Sequence, residues 1–300
     1  MHSRITQVIC FFVLIVLPAS LVIARTEEGA EGILEQLPPE LEQFRVDPLT
    51  VEKSPPFIEG EQLRFRLGWG VFSVARATLQ CVEDMYEEQP AWKISLATRT
   101  NGFADPIYKV RNHSTSWISR DVSRSFEYRA DQNEGGRKRD SQALFDTENL
   151  TGSYFNKLTD DRRGPVEILP GTFDPLGIVF FLRSLDFEVG DEIIIPTSNG
   201  KEFFYTNVHV IKKVKRRFKY GGRQEAYVIE PDIKDVGGVF KRSPDGHIRF
   251  YISADERRLP LRMESEVIVG NFWAELVAIE EPETTLPSDS DDSVAVAEVE

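Results

Sequence analysis

Three hundred residues, 41% hydrophobic and 28% charged, with two cysteines and ordinary Gly and Pro content, describe a globular chain. That composition excludes fibrous, collagenous and disulfide-dense classes. A formal charge of −13 argues against a protein that binds nucleic acid by broad phosphate neutralisation.

The chain opens with a basic start at Arg4, an apolar run from Val8 to Leu17, and a small residue at Ala24. This pattern reads as a secretory signal over residues 1–24, cut after Ala24 or after Ser20. An uncleaved anchor is the alternative, although the run to Ile23 is short and interrupted by Pro18 and Ser20. The expected address is therefore the periplasm or the outer envelope. Cys10 sits near the start of the apolar run, too early for lipidation, and cleavage leaves Cys81 alone.

The acidity belongs to the two ends. Residues 26–62 carry ten acids against Arg45 and Lys53, and residues 280–300 carry eight acids and no base. Both ends read as solvating, unpacked segments, the first rich in proline over 25–56 and the second an acidic tail over 280–300.

Between Phe57 and Ile279 the hydrophobic period is two, the mark of half-buried strands. Leu63 to Cys81 alternates throughout and reads as one long strand, bent or bulged at Gly68–Gly70. Cys81 falls in its inward phase and reads as a small core residue. Further strands follow at Trp92–Arg99, Arg111–Ile118, Ser125–Ala130, Arg139–Phe145 and Gly152–Phe155. The second half adds Glu192–Pro196, Glu202–Lys213, Glu225–Glu230, His247–Ser253, Leu261–Val269 and Asn271–Ile279. Hairpin dipeptides at Asn199-Gly200, Gly221-Gly222, Asp245-Gly246 and Gly270-Asn271 connect the later ones. One segment differs: Asp174-Pro175 opens a stretch from Leu176 to Leu185 that is apolar nearly all round, so it reads as a buried helix. The expected fold is all-β with a minor helix, a large antiparallel curved sheet, partly closed barrel or sandwich around that helix.

The order of these landmarks resembles the bacterial exported family called domain of unknown function 3108. The residues that carry the resemblance are Glu61, Leu63, Phe65, Leu67 and Trp69-Gly70, with Ala75 and Ala77. Gly102-Phe103, Ile107-Tyr108, Arg111, Phe126 and Phe145-Asp146 continue it. Asp174-Pro175-Leu176, Phe181-Leu182-Arg183, Gly190-Asp191, Gly200-Lys201, Ile248 through Asp255 and Leu259-Pro260-Leu261 complete it. It spans about residues 57–279. The resemblance implies a sheet wrapped around a helix, similar to the half-barrel of periplasmic lipoprotein and lipid carriers, and supplies no catalytic residue.

Catalytic motifs are missing from the sequence. There is no Gly-x-Ser-x-Gly elbow, phosphate loop or dinucleotide fingerprint. Ser198-Asn199-Gly200-Lys201 spells Ser-x-x-Lys but sits at a hairpin turn, where the two side chains are not one helical turn apart. His113, His209 and His247 are isolated, so no His/Cys metal site is expected. The acidic runs Asp160-Asp161 and Glu230–Asp235 lack a calcium-loop pattern. No cofactor is expected.

Three functional readings follow. The first is a non-enzymatic envelope protein that binds or shields a lipid or other apolar ligand, with Trp69, Trp92, Trp117, Arg183 and Asp255 as candidate contacts. Asp255 and Arg183 could equally cap a turn and pair with one another. Lys212, Lys213, Lys215, Arg216, Arg217, Lys219 and Arg223 form an acid-free run suited to an anionic membrane surface or an acidic partner, or else to a solvated strand end. The second reading is a structural or interaction protein of the envelope with a fully packed core. The third is a hydrolase of envelope polymers.

Overall fold

A computed structural model describes residues 55–232, 247–267 and 270–281. The signal-like segment, nearly all of the proline-rich stretch and the acidic tail beyond Glu281 lie outside the described residues.

Fourteen antiparallel strands form one sheet. In the first half they are β1 (Gln62–Trp69), β2 (Phe72–Tyr86), β3 (Gln89–Thr100), β4 (Val110–Ser119), β5 (Ser125–Glu134), β6 (Arg137–Asp146), β7 (Thr151–Asn156) and β8 (Asp161–Glu167). The second half has β9 (Glu192–Ser198), β10 (Phe203–Arg217), β11 (Arg223–Pro231), β12 (His247–Ser253), β13 (Pro260–Val267) and β14 (Gly270–Glu280). The only α-helix among the described residues, α1 (Gly177–Ser184), lies between β8 and β9.

The spatial order runs from β8 down to β1, then β14 down to β9. The first and last strands are thus neighbours in the middle of the sheet, and β8 and β9 are its edges. Nearly every connection joins adjacent strands. The exception is the segment carrying α1, which must travel from one edge of the sheet to the other.

Two sequence expectations change. The stretch from Leu63 to Cys81 is a hairpin rather than one bent strand, because Gly70 adopts φ +54° and turns the chain at Val71. Strand β8 has no counterpart among the expected strands, since Asp161–Glu167 carries no alternation and is mostly exposed.

The sheet curls until its edges approach each other. Phe173 makes a parallel bridge to Thr197 of β9, while Ser125 N–H of β5 donates to Thr172 O at 3.0 Å. One short segment before α1 therefore straps the two halves together. Nearby, the β9–β10 turn abuts β7 so closely that a Cβ on Gly200 would lie 2.4 Å from Ser153 O and 2.8 Å from Ala143 Cβ. An edge strand covered as β9 is does not template pairing with other chains.

Inside the curl lies α1 with the core. Phe173, Leu176, Phe180 and Ile195 are each at most 1% exposed, as are Ile94 and Ile118 from the enclosing strands. Each such side chain contributes roughly 1.5–3 kcal/mol by leaving water. Phe57 bridges helix and sheet, with edge-on ring contacts to Phe180 at 4.9 Å and Trp92 at 5.0 Å.

Gly200→Ala should destabilise the protein by about 1–2 kcal/mol from its left-handed backbone (φ +81°) and by about 1–3 kcal/mol more from overpacking against β7. Gly136→Ala, at φ +90° with open space around it, should lose only the backbone part. Urea unfolding of both variants checks the difference.

Candidate functional site

Helix α1 is held at each end by a buried ionisable group. At its start Asp174, fully buried, accepts hydrogen bonds from the N–H groups of Leu176 (2.8 Å) and Gly177 (3.1 Å). Its other oxygen accepts from Ser116 Oγ of β4 (2.5 Å) and Ser125 Oγ of β5 (2.6 Å). The Asp-Pro start legible in the sequence thus also pins the helix to two strands. Burial pushes the Asp174 carboxyl above its usual pKa, against the four donors, which pull it down.

At the other end Arg183, 1% exposed, forms an ion pair with Glu61 at 2.8 Å and lies over the rings of Phe180 and Phe57. Glu61 also holds Arg257 of the β12–β13 turn at 2.5 Å, and Arg257 reaches Glu281 at 2.8 Å. Arg183 therefore serves the fold, and its partner is Glu61 rather than Asp255. Asp255 is exposed and accepts from Ser253 Oγ at 2.6 Å, as a turn residue does.

The tryptophans expected to share a concavity are dispersed. Trp92 opposes Ile118 and Trp117 opposes Lys93 across the same strand pair, so the two indoles project from opposite faces of the sheet. Trp117 lies on the outer face, donating to Asp84 at 3.0 Å between the cations of Lys93 and Arg129. That bond lowers the Asp84 carboxyl below its usual range. Trp69 stacks on Phe272 near the β1–β2 turn, at the opposite end of the strands from Trp92.

Trp92 does line a cleft. At the end of the strands where β2 turns into β3, Phe57, Ile58, Pro90, Trp92 and Phe126 form the apolar wall of a hollow of about 810 Å³. Arg120 and Arg124 border it with Glu59, Glu83 and Asp121. The Arg120 guanidinium lies 3.8 Å from the Trp92 ring centroid and pairs with Glu83, while Trp92 Nε1 donates to Arg120 O at 3.1 Å. Arg120 Nη1 and Arg124 Nε have no hydrogen-bond partner among the described residues. A second hollow of about 410 Å³, walled by Leu150, Ile168, Leu169 and Pro170, shares Gln89, Asp121 and Arg124 with the first. Sequence reasoning missed both arginines, because they flank a β4–β5 connection that carries no motif.

The basic run from Lys212 to Arg223 occupies the end of the β10–β11 hairpin, as its position between two strands implies. Lys213 pairs with Glu225 at 2.9 Å and Arg216 with Glu264 at 3.5 Å, and Phe218 is buried beneath Arg216 and against Tyr251. Lys212, Lys215, Arg217, Lys219 and Arg223 make no ion pair among the described residues. They lie on a different hairpin from the cleft.

Reactive groups are sparse. Burial pushes the Cys81 thiol far above its usual pKa, so it stays protonated and inert. His209 pairs with Asp232 at 3.1 Å and His113 approaches Thr115 at 3.3 Å. Among the described residues no three His, Cys, Asp or Glu side chains are grouped to hold a metal ion, and no helix is long and apolar enough to cross a membrane.

The family model described as "Protein of unknown function (DUF3108)" matches residues 64–277. No curated protein matches the chain. Among solved structures, a beta-barrel-like protein of domain of unknown function DUF1849 from Brucella abortus is similar at a TM-score of 0.47 and 10% identity, covering 74% of this chain and 97% of its own.

The raised pKa of Asp174 has a consequence for stability. The folded protein keeps this proton to higher pH than the unfolded chain, so the group's contribution is full below 3.8 and fades as pH rises through the folded value. Asp174→Asn and Asp174→Ala, neither of which can ionise, should both abolish that decline, and Asp174→Ala should lie about 2–4 kcal/mol below Asp174→Asn at every pH through the lost cap and the stranded serine hydroxyls. Urea unfolding from pH 4 upward, a range about the ordinary Asp value and above, distinguishes the two.

Proposed function

We propose a binding function, not a catalytic one, for this chain, which belongs to the DUF3108 family of proteins of unknown function. In this reading it is an exported protein of the bacterial cell envelope that holds an amphipathic molecule, with an apolar body and an anionic head, in the cleft beside Trp92.

The composition of that cleft carries the reading. Six apolar residues line it, Pro55 with the five above, and two arginines at its border each keep a buried donor atom unpartnered among the described residues. Its volume of about 810 Å³ falls in the range typical of small-molecule sites. An alkyl chain against Trp92, Phe57 and Phe126 and a phosphate or carboxylate at Arg120 and Arg124 would use both properties. The ligand site is thereby moved from the interior of the curl, which α1 fills, to the end of the strands.

The filled interior favours a second reading, a structural protein of the envelope that acts through its surface. A hydrolase is supported by neither geometry nor motif. Ser119 and Ser123 beside the cleft bond to each other at 3.1 Å, Ser123 also donates to Asp121, and none of the three described histidines lines the cleft.

Titration with dodecyl phosphate, followed by native mass spectrometry and tryptophan fluorescence, tests the proposal. One equivalent should bind and perturb the emission, while dodecanol and inorganic phosphate alone bind far more weakly. Arg124→Ala should weaken binding about tenfold or more, the loss typical of one charged hydrogen bond. An unliganded mass in the presence of the probe, or equal affinity in the variant, would favour the structural reading instead.

A further inference from the structure

The strand register creates a row of cations that no stretch of sequence displays. Arg66 of β1 stands opposite Arg76 of β2, which stands opposite Arg99 of β3, which stands opposite Arg111 of β4. The same row continues through Asn133 of β5 to Lys138 of β6. Six adjacent strands thus carry five bases and no acid on one line, about 24 Å long at the usual strand spacing.

Like charges placed directly opposite each other in a sheet oppose folding. Neighbouring acids relieve only part of this row. Asp105 holds Arg111 at 2.6 Å. Glu275, opposite Arg66 on the other side, is taken by Arg262 at 3.3 Å. Asp131 and Asp140 lie two residues behind the row, and Asp140 is engaged by Lys157 at 3.4 Å. Arg66 stands 5.5 Å from the centroid of the Trp273 ring. Arg76, Arg99 and Lys138 are exposed and have no ion-pair partner among the described residues.

A second feature lies beyond the row at one end of the strands. Four residues from Arg76, Arg99 and Arg111, toward the same end of the strands, are Phe72, Phe103 and Ile107, with Val71 at the tip of the β1–β2 turn. Val71 is 89% exposed, Phe103 59%, Phe72 56% and Ile107 50%. Phe72 and Phe103 stack at 5.6 Å, so the two loops present one apolar tip. Turn positions ordinarily carry Gly, Asn, Asp or Ser, and four exposed apolar side chains at one end are not solvent chemistry.

We infer that this end of the sheet docks on an anionic phospholipid surface. Within β2, Phe72 lies four strand residues, about 13 Å, from Arg76, so with Val71, Phe72, Phe103 and Ile107 buried about 5–10 Å deep at the acyl boundary, the cation row meets the phosphates. A soluble polyanion would use the arginines alone, and an apolar protein partner would use the tip alone. The alignment of both selects a lipid surface. The tip lies at the opposite end of the strands from the Trp92 cleft, so this inference stands or falls separately from the ligand proposal.

Vesicle sedimentation of the full chain tests it, comparing phosphatidylcholine alone with an equimolar mixture of phosphatidylcholine and phosphatidylglycerol. The N-terminal apolar run could bind either vesicle, so the informative quantity is the excess on the anionic one. That excess should fall with added salt, and about tenfold or more in Arg76→Glu/Arg99→Glu, since each base near such a surface is worth about fivefold. Val71→Ser/Phe103→Ser should also reduce it with the charge intact. Far-UV circular dichroism confirms that the variants fold, and their dodecyl phosphate titrations should match the parent. No excess on anionic vesicles, or equal excess in either double variant, would overturn the inference, as would binding to soluble heparin without binding to vesicles.

Discussion

The ion pair between Arg183 and Glu61 is the contact on which the rest of this molecule turns. Both side chains are 1% exposed, and removing two charges from water is costly unless each meets the other with good geometry. That cost makes the pair selective, because a shift of α1 would carry Arg183 away from the carboxylate it pairs with. Glu61 precedes β1, Arg183 ends α1, and Arg257 joins them from the β12–β13 turn. One carboxylate thus ties the helix to the strands of both halves, near the seam where β1 meets β14. Asp174 does the same work at the helix start, through β4 and β5. Held at both ends, the helix fixes how far the sheet curls and brings β9 up against β7.

This arrangement explains where binding can and cannot occur. A curved sheet around an empty centre would offer a concave pocket, but here Phe173, Phe180 and Leu176 occupy the centre with Ile94 and Ile195. What remains is the two ends of the strands. One end has the hollow beside Trp92 with its arginine border; the other has the apolar tip backed by a cation row. In the proposed reading, a protein divided in this way would hold a small amphipathic molecule at one end while the other meets a surface, and neither task would require the core to open.

Much of the fold was legible in sequence because it depends on local rules. Alternation at period two marked the strands, Asn199-Gly200 marked a hairpin, and Asp174-Pro175 marked the helix start. The failures have equally local causes. Val71 at a turn and the unpatterned Arg162-Arg163-Gly164 of β8 gave no signal of the kind those rules detect. The site was less legible, since it depends on register. Trp92 and Trp117 look equivalent in the sequence, yet pairing with Ile118 and Lys93 sends them to opposite faces. Arg66, Arg76, Arg99 and Arg111 are separated by up to 23 positions between neighbours, and only three aligned ladders bring them into line. The seven clustered bases at Lys212–Arg223 were conspicuous for the opposite reason: adjacency in sequence is visible, whereas adjacency across strands is not.

The most direct test of this account is a double-mutant cycle at Glu61 and Arg183, read by urea unfolding. Arg183→Met should cost about 3–5 kcal/mol because it leaves a fully buried carboxylate with only the partly exposed Arg257, and Glu61→Leu should cost a similar amount because it strands a buried guanidinium. The double variant should lose less than the sum of the two single losses, giving a coupling energy of about 1–3 kcal/mol. Additive losses, or single variants as stable as the parent, would contradict the claim that this pair sets the helix within the sheet.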